Sequence, residues 1–367
     1  MAEDYIYTEN MTVGYGKIPL IEQIELHVRR GEIVTLIGPN GAGKSTILKS
    51  VIRQLDLLDG AVYLDGASME HMPEKQIARQ MSVLMTERVR PELMTCEDVV
   101  GTGRYPYTGR MGILTAKDRK KVQEAIALVH AQEIAARDFS EISDGQRQRI
   151  LLARAVCQEP QAIVLDEPTS FLDIRHKLEL LTILKDLVNE KKVAVLMSLH
   201  ELDLAQKLSD YIVCVKGDTI ERCGTPEEIF STPYIAQLYG ITKGSYHAEL
   251  GCLEMEPVLG LPQVFVIGGN GSGIPVYRKL QRKGIPFAAG ILHENDIEYP
   301  VARALASEII TERPFEPISE MAFNRAAAVL SSCRQIICCL QEFGTMNGKN
   351  RLLAELGQEK KIEITGP

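Results

Sequence analysis

The chain has 367 residues, 45% of them hydrophobic and 25% charged, the composition of a globular protein of two domains or of one domain with an appendage. Its 41 basic and 49 acidic residues leave a net charge of −8, which argues against a nucleic-acid partner held by bulk positive charge. No apolar run approaches the ~18 residues that a membrane span needs, and the acidic start Met1-Ala2-Glu3-Asp4 lacks the basic-then-apolar order of a signal peptide. The eight cysteines show no framework spacing and read as reduced thiols; Cys333, Cys338 and Cys339 lie in or beside an apolar strand-like run and are expected to be buried. A cytoplasmic location is the expectation.

In chain order, residues 1–240 alternate β-rich runs with helical patterns, as a mostly parallel sheet flanked by helices does. Residues 33–37 predict a strand that feeds a glycine-rich loop, and 44–55 predict the helix after it. Residues 72–137 read as a helical, glycine-broken insertion. Within it Val122, Ala125, Ile126 and Val129 recur at helical spacing, so a helix near 118–137 should bury one face. Strands resume at 162–165 and 193–199, and the pattern loosens around 240–258 as a linker would. Beyond it come a strand at 263–267, a helix at 275–283, a strand at 287–292, helical stretches near 299–311 and 318–332, a strand at 335–340 and a last helix near 348–358. The predicted division is an α/β domain over 1–245, a linker over 246–260, and a small Rossmann-like α/β domain over 261–367, with no internal repeat.

Three segments carry chemistry. Gly38-Pro39-Asn40-Gly41-Ala42-Gly43-Lys44-Ser45-Thr46 follows a predicted strand and opens a helix, the context of a phosphate-binding loop. Its glycines let backbone N–H groups turn inward around phosphates, and the helix N-terminus adds partial positive charge. Lys44 is expected to reach the β- and γ-phosphates of a nucleoside triphosphate and Ser45 to ligate Mg²⁺. The second segment, Ile163-Val164-Leu165-Asp166-Glu167, is an aliphatic strand ending in two carboxylates, of which Asp166 is expected in the Mg²⁺ sphere and Glu167 beside the attacking water. In the third, Ile142-Ser143-Asp144-Gly145-Gln146, Ser143 is placed to cap an apolar helix and leave N–H groups aimed at an anion.

Over about residues 3–240 these segments resemble the ATP-binding-cassette (ABC) ATPases, whose signature, usually Leu-Ser-Gly-Gly-Gln, is matched by residues 142–146. The resemblance implies a P-loop NTPase domain with a helical signature subdomain, and an ATPase that uses ATP and Mg²⁺. It implies a head-to-tail homodimer in which Ser143, Asp144, Gly145 and Gln146 contact the nucleotide held by the loop 38–46 of the other copy. Tyr15 resembles the aromatic residue that stacks on adenine, Asp173 the inter-subunit aspartate that follows Ser170-Phe171-Leu172, and His200 the histidine that senses the γ-phosphate. With Lys44 and Glu167, His200 makes up the expected catalytic set. Two positions depart from the family. Asp144 replaces a glycine and should turn outward, since an inward carboxylate would repel the nucleotide. Thr86 stands where a glutamine is usual; its hydroxyl can touch Mg²⁺ or its water but cannot copy the glutamine's reach.

Because the chain has no predicted span, transport requires integral membrane permease subunits on whose inner face it would sit, served indirectly by a substrate-binding protein. Gly103-Arg104-Tyr105-Pro106 is similar to a Gly-Arg-x-Pro stretch of ATPases that import iron-siderophores, haem and cobalamin. An oxyanion (molybdate-like) importer, or a cassette protein outside transport, is the alternative. In the second domain Gly268-Gly269-Asn270-Gly271-Ser272-Gly273 could form an anion nest, with Glu294 and Asp296 placed to accept ribose hydroxyls. It lacks a Lys-Ser pair, so ATP hydrolysis is not expected there, and Val276 stands where a dinucleotide fingerprint needs a small residue. A regulatory ligand site and a dimerisation role both remain open.

Overall fold

A six-stranded sheet organises the first of two units into which the chain divides, Met1–Tyr239 and Gly240–Pro367. The structure, a computed structural model, describes residues 4–85, 91, 93–109, 111–170, 172–230, 233–247 and 251–357.

The first unit opens with β1 (Asp4–Tyr15), β2 (Ile18–Ile24) and β3 (His27–Arg29), then β4 (Ile33–Ile37), α1 (Lys44–Val51), β5 (Asp59–Leu64) and β6 (Ala67–Ser68). Strands β2, β1, β5 and β6 lie side by side in one sheet with β3 also on β1, all antiparallel. After α2 (Glu74–Gln80) and β7 (Met81–Leu84) comes the helical insertion, α3 (Cys96–Gly101), α4 (Ala116–Leu128) and α5 (Asp144–Cys157). Each of these three helices starts at a reciprocal capping box, Thr95 with Asp98, Thr115 with Asp118 and Ser143 with Gln146. The chain then alternates β8 (Ala162–Asp166), α6 (Ile174–Lys191), β9 (Ala194–Ser198), α7 (Leu202–Leu208), β10 (Tyr211–Lys216), β11 (Thr219–Gly224), α8 (Pro226–Phe230) and α9 (Tyr234–Leu238).

The second sheet runs β11-β10-β4-β9-β8-β7, parallel except for β11. Its central strands β4, β8 and β9 are buried at every residue, which is why they read as continuous aliphatic runs instead of alternating ones. α1 fills the space between the two sheets: Ile47, Leu48 and Val51 join a core with Tyr5, Ile6, Met11 and Ile21 on one side and Val34, Leu36, Val164 and Leu196 on the other. The helix expected near 118–137 is shorter. α4 ends at Leu128, and His130 takes a left-handed φ of 50° before a single 3₁₀ turn at Gln132–Ile134.

In the second unit β12 (Ser245–His247) and β13 (Cys252–Glu254) form an antiparallel hairpin within the stretch read as a linker. Buried Glu254 accepts a forked ion pair from Arg278, so this segment is tied to the rest of its unit. Then follow β14 (Val264–Ile267), α10 (Ile274–Arg282), β15 (Phe287–His293), α11 (Tyr299–Leu305), β16 (Glu308–Glu312), α12 (Glu320–Ser332), β17 (Gln335–Cys338) and α13 (Gly348–Leu356). The four main strands are all parallel in the order β16-β15-β14-β17. The helical stretch expected near 299–311 stops at Leu305, because the β-branched run Ile309-Ile310-Thr311 favours a strand and forms the edge of the sheet. Cys333 and Cys338 are buried, as their apolar setting predicts, and burial pushes the Cys339 thiol up to about 12. Among the described residues no His, Cys, Asp and Glu group could hold a metal by itself, and no helix is long and apolar enough to cross a membrane.

Candidate active site

β4, β9 and β8 are neighbours, so their carboxyl ends deliver the loop after Ile37, His200 after Ser198 and Glu167 after Asp166 to one place. With Tyr15, Leu20, Asn40, Gly41, Gly43, Ser45 and Thr46 they line a cavity of about 720 Å³. Glycine is required at two points of the loop. A Cβ on Gly38 would lie 2.0 Å from the Val215 carbonyl oxygen, and Gly43 has φ 95° with Ile21 2.7 Å from where its Cβ would be. The Lys44 ammonium curls back on the loop and donates to the carbonyls of Gly38 (2.7 Å) and Pro39 (3.0 Å). Burial lowers its pKa, while Glu167 and Asp166 pull it back up. A cation held by neutral carbonyls inside a glycine loop is poised for an anion.

Asp166 is buried, and its Oδ1 accepts from Ser45 Oγ (3.0 Å) and from Ser198 Oγ (2.7 Å). Glu167 sits at φ 48°, a left-handed conformation that an L-residue holds only when its surroundings enforce it. Three contacts do so: its N–H donates to Ser198 Oγ (3.0 Å), Ser170 Oγ donates to its Oε2 (3.0 Å), and His200 Nε2 bonds its Oε1. Ser198 thus ties the Asp166 carboxylate to the Glu167 backbone, and sequence reasoning missed it. The available signal was a hydroxyl two residues before His200 at the end of an otherwise aliphatic strand. Tyr15, which also lines the cavity, has an exposed ring, and its hydroxyl lies 3.2 Å from Thr46 Oγ1.

The signature residues and Asp173 do not line this cavity. Ser143 caps α5, accepting from the Gln146 N–H (3.3 Å), while Gln146 Oε1 accepts from the Ser143 N–H (3.0 Å). Asp144 is half exposed and paired with Arg147 at 2.5 Å. A Cβ on Gly145 would meet Leu172 at 3.6 Å and His176 at 3.8 Å, so the signature lies against the start of α6. Asp173 caps α6, and the His176 backbone N–H (2.9 Å) holds its carboxyl below the ordinary range. Gln148 Nε2 also reaches the Pro168 carbonyl (3.0 Å), joining α5 to the loop after β8. Thr86 and Phe171 lie outside the described residues.

Arg104, singled out by the Gly-Arg-x-Pro pattern, is 3% exposed. Its guanidinium donates to Asp118 Oδ1 (3.0 Å), the Cys157 carbonyl (2.8 Å) and Glu159 Oε2 (3.0 Å), and lies over the Tyr107 ring. This arginine clamps α4 and α5 to the turn that carries it, so the motif is first a packing device of the helical insertion.

The second glycine loop, after β14, differs from the first. The Glu298 side chain, from the loop after β15, is fully buried; its Oε1 accepts from the N–H groups of Gly269 (2.9 Å) and Gly273 (2.5 Å), and its Oε2 from Tyr277 OH (2.7 Å). Asp296 accepts from the Asn270 N–H (2.9 Å) and the Glu298 N–H (2.9 Å). The expected anion nest therefore exists but is filled by the protein's own carboxylates, and Asp296 spends part of its acceptor capacity there on two backbone N–H groups.

The loop, the strand-end carboxylates and the histidine of the first unit define a P-loop nucleoside triphosphatase. A family profile described as ABC transporter matches residues 21–170, and one described as the MJ0874 family matches residues 287–365. An ABC transporter ATP-binding protein of Methanocaldococcus jannaschii is 41% identical over 287 residues, 78% of this chain and 99% of that protein. The iron(3+)-hydroxamate import ATP-binding protein of Bacillus subtilis is 37% identical over 64% of this chain and 87% of its own length. The cobalamin import ATP-binding protein of Halobacterium salinarum is 30% identical over 82% and 77%. Among solved structures, an ATP-binding cassette dimer with ADP and Pi superposes with a TM-score of 0.54 at 23% identity, covering 60% of this chain and 98% of that one. The chain belongs to the ATP-binding proteins of ABC transporters, extended by an MJ0874-family domain, and it is an ATPase.

Proposed function

We propose that this ATPase powers import of an iron complex (siderophore or haem) or cobalamin, working as a head-to-tail homodimer beneath integral membrane permease subunits on the cytoplasmic face. One observation carries the dimer: the cavity that holds Lys44, Glu167 and His200 contains none of Ser143, Asp144, Gly145, Gln146 or Asp173. A second copy would bring those residues to the γ-phosphate. The cargo reading rests on relatives whose names give iron(3+)-hydroxamate and cobalamin as what they import. A substrate-binding protein would deliver the cargo. The parallel order β16-β15-β14-β17 supports reading the second unit as Rossmann-like.

In this mechanism Tyr15 stacks on adenine and the loop 38–46 wraps the phosphates, with Lys44 moving from the Gly38 and Pro39 carbonyls to the β- and γ-phosphates. The donor set suits Mg²⁺: Ser45 Oγ and Asp166 Oδ1, hard oxygen donors 3.0 Å apart, would hold it. When bound, Mg²⁺ neutralises charge on the β- and γ-phosphates. Glu167 orients and polarises the attacking water through the carboxylate that His200 and Ser170 fix. His200, bonded to Glu167, would report the γ-phosphate to it. The decisive experiment is Glu167→Gln in the full chain. ATP binding should persist, turnover should vanish, and an ATP-dependent dimer should accumulate in sedimentation; unchanged hydrolysis would remove Glu167 as the base. For cargo, uptake of labelled ferric hydroxamate and of cobalamin is measured in cells with and without the gene, and loss of neither refutes that part.

A further inference from the structure

The second unit contains a cleft of about 500 Å³ lined by Asn270, His293, Asn295, Asp296, Ile297, Phe315 and Met346. His293 ends β15 and the other residues come from the segments after β14, β15, β16 and β17, so all four parallel strands send their following loops to one place. That place, outside the carboxyl ends of the strands, is where open α/β sheets bind ligands. The strand order reverses between β14 and β17, and a Cβ on Gly269 would stand 3.6 Å from Asp296 and 3.7 Å from Asn347, so loops from both sides of the reversal meet there.

The lining states what the ligand must look like. No lysine or arginine is among the lining residues, and the N–H groups of Gly269, Asn270 and Gly273 in the loop are already given to Glu298 and Asp296. A phosphate entering here would face the Asp296 carboxylate. The apolar lining is Phe315, 82% exposed and held at φ 61°, together with Ile297 and Met346. A bulky aromatic residue in the left-handed region and in solvent is strained and gains nothing from burial, a combination found at ligand clamps. Polar groups share the cleft. Asn270 and Asn295 offer amides, the Asp296 carboxylate is steadied by backbone N–H groups, and His293 is oriented by donating from Nε2 to the Glu316 carbonyl (2.8 Å).

We propose that this cleft binds a nucleoside-class ligand: a flat ring for Phe315, Ile297 and Met346, hydroxyl or amino donors for Asp296 and the two amides, and no phosphate. The site is separate from the ATPase cavity and needs no second copy of the chain.

The test uses the full chain with saturating ADP, so that the ATPase cavity is occupied. Adenosine, guanosine, cytidine and uridine are titrated by calorimetry, each beside its 5′-monophosphate. At least one nucleoside should bind one-to-one, its monophosphate at least tenfold more weakly. Phe315→Ser, at a position too exposed to matter for folding, should weaken the nucleoside at least tenfold without moving the thermal midpoint. Asn295→Ala should weaken it as well. The proposal is overturned if none of the four binds, if the signal disappears when ADP is present, if the monophosphate binds as tightly as the nucleoside, or if Phe315→Ser leaves affinity unchanged.

Discussion

Ser198→Ala should separate catalysis from stability in this ATPase. The Ser198 hydroxyl is fully buried at the end of β9, donates to Asp166 and accepts from the Glu167 N–H. Alanine removes both bonds and leaves the Glu167 N–H without its acceptor, a loss of about 1–3 kcal/mol. In a unit of this size each kcal/mol moves the thermal midpoint by roughly 2–4 °C, so a drop of about 2–12 °C is expected. The kinetic effect should be larger than that drop implies. Glu167 holds a left-handed φ of 48° that Ser198 helps enforce, and a misplacement of about 1 Å at a reacting group costs on the order of 10²-fold. A fall in kcat of about 10- to 100-fold is expected, with ATP affinity nearly unchanged because the Lys44 loop is untouched. Ser209→Ala is the matched control: its buried hydroxyl donates to Thr35 Oγ1 at 2.6 Å, and neither residue lines the ATPase cavity. Steady-state ATPase and differential scanning fluorimetry on both variants decide the matter. Equal kcat losses at equal destabilisation would show that Ser198 is only a packing residue.

Three further outcomes are expected. Arg104→Met leaves buried Asp118 with its Thr115 cap but without its cationic partner and should cost about 3–5 kcal/mol, and Arg104→Lys should recover little because an ammonium cannot serve Asp118, the Cys157 carbonyl and Glu159 together; urea unfolding of the three proteins checks this. Asp144→Gly removes a carboxylate already paired with Arg147, so ATPase should change by less than about threefold, measured at saturating ATP; a loss of tenfold or more would mean that Asp144 touches the nucleotide. Glu312 is held down to about 2 by its hydrogen bonds to Ser319 and the backbone N–H of Arg313. Its folded pKa lies below its unfolded one, so its contribution is complete above about pH 4.5 and is lost as pH falls toward 2. Glu312→Gln should flatten that part of the acid-stability curve, read by circular dichroism, and an unchanged curve would contradict the assignment.

Much of the first unit was legible because its determinants are local. Ile33–Ile37 and Ala162–Asp166 announce buried parallel strands, and the residues that follow each strand fall at the sheet's carboxyl edge by topology alone. Ser143 and Gln146 likewise spell out their own capping box. What stayed hidden depends on tertiary contact. Arg104 looks like a surface cation in sequence, and only the packing of α4 and α5 reveals Asp118, Cys157 and Glu159 around it. The stretch 299–311 holds both the end of α11 and the start of β16, and single-sequence periodicity cannot divide apolar runs that short. The hairpin at Ser245–His247 and Cys252–Glu254 is too short to show a period, and is tied in by an arginine more than 20 residues away.

The two glycine loops show how one local pattern can carry opposite electrostatics. Each follows a parallel strand and precedes a helix, and each contains glycines with φ well into positive values, Gly41 and Gly43 in the first and Gly271 in the second. In the first, the charge folded into the loop is the Lys44 ammonium on two carbonyl oxygens. An arriving phosphate offers that cation a stronger partner, so the loop is primed to exchange carbonyls for anion. In the second, the folded-in charge is the Glu298 carboxylate on two backbone N–H groups, with Tyr277 OH on its other oxygen. A phosphate there would have to displace a buried, triply bonded carboxylate whose removal leaves an uncompensated charge. The cation comes from the first residue of the loop's own helix, whereas the anion arrives from a loop 25 residues further on. The glycines give both loops their shape, and the sign of the side chain that returns to them decides whether phosphate is bound or kept out.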